Sequence, residues 1–141
     1  MPVIGMNIRN ITAKKYEGLK GPVKVNSNVN LKDVKKQNLP LLNKNGLSID
    51  FEFKTQYLSK NKTIGEIVIE GNVIFIDPQQ DKILKGWEKD KKLPDDTNLE
   101  IINTILRRSF VKALNLSEEL QLPPPIALPF ARKREESKYI G

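Results

Sequence analysis

Residues 47–57 read LSIDFEFKTQY, and apolar residues alternate with polar ones along this stretch. The apolar side chains of one parity are Leu47, Ile49, Phe51, Phe53 and Tyr57. Because successive side chains of a strand point to opposite faces of a sheet, the stretch predicts a strand with one buried and one solvated face. The three aromatic residues share the buried parity, so we expect them to pack in a core rather than to stack on bases.

Three further segments alternate in the same way, at residues 4–9, 23–31 and 64–76. Gly71 interrupts the last of them and indicates a bulge or a close backbone contact. The polar stretch 59–62 separates two of the predicted strands and favours a hairpin. We therefore predict a four-stranded antiparallel sheet in the N-terminal half of the chain.

The second half of the chain has helical spacing. Asp77 and Pro78 are typical of a helix start, and Leu93-Pro94 would end that helix. A longer helix is expected from Asp95 or Asp96, with one more short turn at 117–120. Its apolar stripe is Leu99, Ile102, Ile105, Leu106, Phe110, Ala113 and Leu114.

The fold class predicted from these patterns is α+β, with the sheet followed by two to three helices and an extended proline-rich segment. Three consecutive prolines at 123–125 cannot continue a helix and favour an extended chain. We expect residues 1–130 to form a single domain and residues 131–141 to form a charged C-terminal tail.

Composition narrows the class of protein. The chain has 141 residues, of which 38% are hydrophobic, and this is typical of one globular domain. It has no cysteine, no apolar run long enough to cross a bilayer and no secretory signal, so we expect a cytoplasmic protein. Without a basic amphipathic helix, the sequence does not predict a membrane partner.

Catalysis is not predicted. The chain has neither histidine nor cysteine, and its glycines do not form a phosphate-binding loop. Asp50 with Glu52, and Glu66 with Glu70, share the solvated parity of their strands, as the residues of any wet face would. The acidic residues at the predicted helix starts serve as caps, so we expect no metal ion and no cofactor.

Positive charge is uneven along the chain. Residues 1–76 contain 12 Lys/Arg against 6 Asp/Glu, whereas residues 77–141 contain 12 against 11. AT-rich coding would also enrich lysine, but it does not explain the asymmetry. We expect the excess to lie in loops and in the tail, where it would bind RNA phosphates. The candidate RNA-binding residues are Lys14, Lys15, Lys20, Lys32, Lys35, Lys36, Lys60, Lys62, Arg132, Lys133 and Arg134.

From these residues the main functional hypothesis is a non-catalytic protein that binds structured RNA. Its lysines would act as point charges on phosphates, and its basic tail would order on contact with the RNA. A ribosomal or ribosome-associated protein fits this description, with rRNA and neighbouring ribosomal proteins as partners.

The order of elements from Leu47 to Phe130 supports a second hypothesis. Two long amphipathic strands, a helical section and a helix are followed by Leu122-Pro123-Pro124-Pro125-Ile126. This layout resembles that of the SecB-type export chaperones, and it is similar to small archaeal SecB-like proteins. The resemblance implies a curved sheet, possible oligomerisation and an apolar groove for unfolded chains. The alternative function is therefore a chaperone or adaptor that binds unfolded polypeptide.

Overall fold

The computed structural model describes residues 3–19 and 21–127. Four strands form one antiparallel sheet in the order β1-β4-β3-β2, and two helices follow them. The predicted α+β fold is confirmed. The elements are β1 Val3–Lys15, β2 Lys24–Leu39, a 3-10 helix Pro40–Leu42, β3 Lys44–Ser59, β4 Lys62–Phe75, α1 Gln80–Asp90 and α2 Asp95–Glu119.

The central pair of strands, β3 and β4, forms the hairpin that the sequence predicts. Ser59 lies opposite Lys62, and the two residues between them have the left-handed backbone of a tight turn. The pairing continues from there to Leu47 opposite Phe75. These long strands form the centre of the sheet.

The edge strands are longer than the sequence indicates, because each contains a bulge. On β2, Leu31 lies opposite Phe51 and Val34 lies opposite Ile49, so three steps on β2 match two on β3. Residues 32–36 are therefore strand and not loop, which corrects the expectation that their lysines lie in a loop. On β1, a shift between Ile8 and Asn10 extends the strand to Lys15 in the same way.

One face of the sheet carries the hydrophobic core, and both helices pack against it. Phe51, Phe53 and Tyr57 are at most 1% exposed, which confirms that the aromatic parity faces the core. The ring of Phe53 meets that of Phe110 on α2 edge-to-face, with centroids 5.1 Å apart. The opposite face of the sheet is mainly polar, although Val68 and Ile74 of β4 also lie on it.

The helices differ from the prediction in their ends and in the face that α2 buries, because Ile101 is fully buried whereas Leu99 of the predicted stripe is 58% exposed. The carboxylate of Asp77 accepts the Gln79 N–H at 2.8 Å, and this local turn delays α1 until Gln80. Residues 117–119 belong to α2 itself, so no separate short helix follows. Within the described residues, no helix is long and apolar enough to cross a membrane.

Candidate functional site

An open groove lies on the outer side of β2, where α1 ends and α2 begins. It has a volume of about 410 Å³. Its apolar walls come from three elements that are distant in sequence. These are Val29 and Leu31 on β2, Trp87 and Leu93 at the end of α1 and just after it, and Ile102 on α2.

The rim of the groove is charged. Lys91 has the left-handed conformation that ends α1, and its N–H donates to the Trp87 carbonyl at 2.8 Å. This turn brings the Lys91 ammonium to 5.9 Å from the centre of the Trp87 ring, within the range of a cation–π interaction. Lys92, Asp95 and Asn98 complete the rim. The groove thus combines apolar side chains with polar groups, and the polar groups provide the larger part of its surface.

Trp87 forms part of the groove wall and is only 5% exposed. Its indole Nε1 is buried and has no hydrogen-bond partner among the described residues. A buried donor of this kind is unusual in a native protein. Trp87 is also the only tryptophan of the chain, so its fluorescence reports on this site.

The strand beside the groove has a free edge. β2 is 16 residues long and pairs with β3 on one side, while no described strand pairs with its other side. Val25, Val29 and Leu31 lie on its helix-facing side and are half-buried against the core. An unpaired strand edge offers backbone N–H and C=O groups to an extended peptide, and the neighbouring apolar pockets receive the peptide's side chains.

The uncovered face of the sheet is a network of cross-strand ion pairs. Asp50 lies 3.0 Å from Arg9 and 4.0 Å from Lys35, and Glu52 lies 3.1 Å from Lys32. The hydrogen bond and the negative charge of Glu52 raise the pKa of Lys32. The carboxylates at 50 and 52 are therefore partners of neighbouring cations, as the wet-face interpretation of the sequence predicts.

A second cluster on the same face involves Glu66. Its carboxylate accepts a hydrogen bond from the hydroxyl of Tyr16 at 2.8 Å and lies 3.9 Å from the ammonium of Lys54. The hydrogen bond to Glu66 raises the pKa of Tyr16. Within residues 3–19 and 21–127, no group of three or more acidic side chains could hold a metal ion.

The structure divides the predicted basic set into two groups. Lys14 and Lys15 lie opposite Glu66 and Gly65, at the same end of the sheet as the hairpin that carries Lys60 and Lys62. Lys62 forms an ion pair with Glu17. These four lysines are brought towards one another.

The lysines of β2 lie elsewhere on the sheet. Lys35 and Lys36 are opposite Ser48 and Leu47, near the other end of β3. From Leu47 to Tyr57, β3 advances about 33 Å. Lys32 and Lys35 also take part in the ion pairs described above. A single convergent basic surface is therefore not formed by the described residues, while Lys20, Arg132, Lys133 and Arg134 lie outside them. Contact of individual lysines with RNA stays a prediction.

The fold has a counterpart among solved structures, although no family model and no curated protein matches the chain. It is similar to the SecB-like chaperone Rv1957 of Mycobacterium tuberculosis, solved in complex with a ChAD peptide from the Rv1956 HigA1 antitoxin. The two share 11% sequence identity at a TM-score of 0.60, over 94% of this chain and 91% of that one. The SecB-like fold indicated by the order of elements is therefore confirmed.

This likeness corrects the main functional hypothesis. The hypothesis of a ribosomal RNA-binding protein, with rRNA and ribosomal proteins as partners, is wrong because the neighbour with this fold is a chaperone bound to a peptide. The distribution of lysines along the sequence led to a wrong prediction, because Lys32 and Lys35 form ion pairs with carboxylates within the sheet. The neighbour is mycobacterial, so it gives no support to an archaeal assignment.

Sequence reasoning did not single out the groove residues as a site. Trp87 is buried as a core residue, and it also forms a wall of the groove, a role that no local pattern of the sequence indicates. One signal was present in the sequence. Val29 and Leu31 lie on a strand whose other face is almost wholly polar, and such residues at a sheet edge are only half covered.

Proposed function

We propose that this protein is a SecB-like, non-catalytic chaperone that holds extended apolar segments of other polypeptides in the groove beside β2. The observation that carries the proposal is the juxtaposition of the free edge of β2 and a groove that has apolar walls and a charged rim. The groove supplies affinity through burial of apolar side chains, and the strand edge supplies backbone hydrogen bonds that are independent of sequence. The likeness to a peptide-bound chaperone supports it.

The geometry favours a polypeptide over a small molecule. The groove is open to solvent and adjoins a 16-residue strand, so it offers a long track instead of an enclosed cavity. Binding to such a track needs no chemical step and no proton transfer. The client would be held by contacts that many different apolar sequences can make, as the function of a chaperone requires.

Groove variants test this proposal. Val29→Asp and Ile102→Asp each place a carboxylate on the apolar wall without changing a fully buried residue. Each variant should weaken the binding of a fluorescent unfolded polypeptide by about tenfold or more, as loss of a central apolar contact does. Val111→Asp is the matched control, because Val111 is 61% exposed on α2 and does not line the groove. Circular dichroism would verify that all three variants remain folded.

The response to salt and to the client's backbone adds a second test. Apolar burial strengthens with salt, so the complex should survive high salt, and Trp87 emission should shift when the groove fills. A peptide that is N-methylated at alternate residues cannot donate to the strand edge and should bind more weakly than its parent. Equal binding by the groove variants, the control variant and the wild-type protein would refute this location of the site.

A further inference from the structure

The corner between β2 and β3 exposes two adjacent leucines to solvent. Leu41 is 100% exposed and Leu42 is 49% exposed, and both belong to the 3-10 helix Pro40–Leu42. Single exposed leucines are ordinary, but two adjacent ones at the end of a long hairpin form a projecting apolar tip. This corner lies about 25 Å along β2 from Leu31, so it is separate from the groove.

The tip is held in its projecting position. The N–H of Asn43, in a left-handed conformation, donates to the Pro40 carbonyl at 3.1 Å and closes the turn. At its base, the Gln80 amide donates to the Asn45 carbonyl at 2.9 Å. Leu39 packs so closely on Gly46 that an added Cβ there would lie 3.1 Å from the leucine Cδ1. The leucines of the tip are thus presented to solvent by an ordered support.

The charge around the tip is positive. Between Val34 and Ile49 the ionisable residues are Lys35, Lys36 and Lys44, with no acidic residue among them. Lys35 is near Asp50, whereas Lys36 and Lys44 are exposed and form no ion pair with a described residue. Lys44 lies opposite Leu39, directly beside the tip.

The start of α1 touches the base of the tip through Gln80 and contributes further charges. Asp77 and Asp81 are acidic, and Lys82 is basic. The Asp77 carboxylate already accepts the Gln79 N–H. With Lys36 and Lys44 included, the net charge of the residues around the tip remains positive.

We propose that this tip docks on an anionic lipid surface, with Leu41 and Leu42 entering the boundary of the acyl chains and the ammonium groups of Lys36 and Lys44 reaching lipid phosphates. An apolar insertion together with basic residues supplies the two signals that stable peripheral binding needs. The long lysine stems allow the charges to stay at headgroup level while the leucines descend. Charge complementarity favours this occupant over an apolar protein pocket, which would bury the leucines without using the lysines.

Vesicle flotation tests the proposal on the full chain. Vesicles of phosphatidylcholine with phosphatidylglycerol should bind the protein, and vesicles of phosphatidylcholine alone should bind it at least about tenfold more weakly, as expected when two lysines contribute. The double variant Leu41→Asn/Leu42→Asn should reduce binding to anionic vesicles about tenfold. The double variant Lys36→Gln/Lys44→Gln should reduce it by a similar factor. The matched control is Val111→Asn with Lys112→Gln, an exposed apolar and basic pair on α2, which should bind like wild type.

A site-specific probe adds a readout of insertion. The chain has no cysteine, so Leu41→Cys accepts a single polarity-sensitive dye, and Val111→Cys serves as its control. The dye at position 41 should shift to the blue on anionic vesicles while the dye at 111 does not. Binding that persists in the leucine variant would indicate adsorption by charge alone and would overturn the proposal. Equal binding to anionic and neutral vesicles, or no binding to either, would also overturn the proposal. Val29→Asp should leave vesicle binding unchanged, which separates this test from that of the groove.

Discussion

Replacement of Gly71 by alanine is expected to destabilise the protein strongly, because β1 crosses this residue without room for a side chain. An added Cβ would lie 1.9 Å from the Asn7 carbonyl oxygen and 3.0 Å from the Ile8 Cα, whereas ordinary contacts begin at 3.4 Å. Both neighbours are backbone atoms of β1 beside its bulge. Neither can move aside by changing a rotamer, so the strand itself has to shift.

The expected cost follows from this geometry. Overpacking a well-packed site costs about 1–3 kcal/mol and sometimes more. Because the contact displaces paired backbone, we expect Gly71→Ala to lower the free energy of unfolding by about 3 kcal/mol or more. For a domain of this size, that corresponds to a fall in Tm of about 10 °C. Urea unfolding followed by circular dichroism and by the fluorescence of Trp87 measures the loss.

Gly5 provides the matched control on the same strand. An added Cβ there would meet nothing within 4 Å. Gly5→Ala should therefore match the wild type or gain about 0.4–1 kcal/mol, because alanine restricts the unfolded chain. If Gly71→Ala stayed within about 1 kcal/mol of the wild type, the close approach of β1 to β4 would be refuted, and with it the register of the edge strand.

Three further substitutions probe the core and the uncovered face. Tyr57→Phe removes a buried hydroxyl whose only polar neighbour among the described residues is a weakly interacting Ser117, so it should change the free energy of unfolding by less than about 1 kcal/mol in urea titrations. Burial raises the pKa of Tyr57 above its ordinary 10.0, so wild-type stability should be retained below pH 10 and fall as the pH rises beyond it, less steeply in this variant. Thr55→Val deletes the 2.8 Å hydrogen bond to Ser27 and should cost about 1 kcal/mol in the same titration; no loss would contradict that bond. Asp50→Asn should cost less than about 1 kcal/mol, and the cost should shrink in high salt, since its partner Arg9 is exposed.

The sheet was predictable where the strands are regular. In β3 the apolar residues from Leu47 to Tyr57 share one parity, interrupted only by Thr55, and the strand pairs on both sides. The parity of a side chain therefore indicates its environment along most of this strand. Gly71 was informative for a related reason, because a residue without a side chain inside such a strand reports the approach of another backbone.

The edge strands were harder to predict because bulges break the alternation of two. Leu31 and Val34 both lie on the helix-facing side of β2, although they are three residues apart. Ile8 and Ile11 are related in the same way on β1. A period-two pattern loses phase at each bulge, so the segments beyond it look like polar loops. For this reason the sequence pattern indicates a loop where the lysines of β2 in fact lie in a strand.

The groove could not be predicted from local patterns, since its walls come from residues about 30, 90 and 100 positions along the chain. Only the packing of α1 against the sheet brings Trp87 beside Val29 and Leu31. The apolar tip could not be predicted from the sequence for a different reason. A basic amphipathic helix is recognisable in a sequence by its periodicity, whereas Leu41 and Leu42 lie on a single 3-10 turn that has no periodicity to detect.

Net charge proved a poor guide to function because charges act in pairs once the chain folds. Lys32 and Lys35 add to the basic count, yet both face carboxylates of β3 across the sheet. Such pairs cancel the field that a phosphate would sense, and they contribute only modestly to stability. What distinguishes Lys36 and Lys44 is not their charge but the absence of an acidic partner among the described residues, combined with their position on the strand ends that lead to the exposed leucines. A search for function in a basic protein should therefore begin with the cations that folding leaves uncompensated.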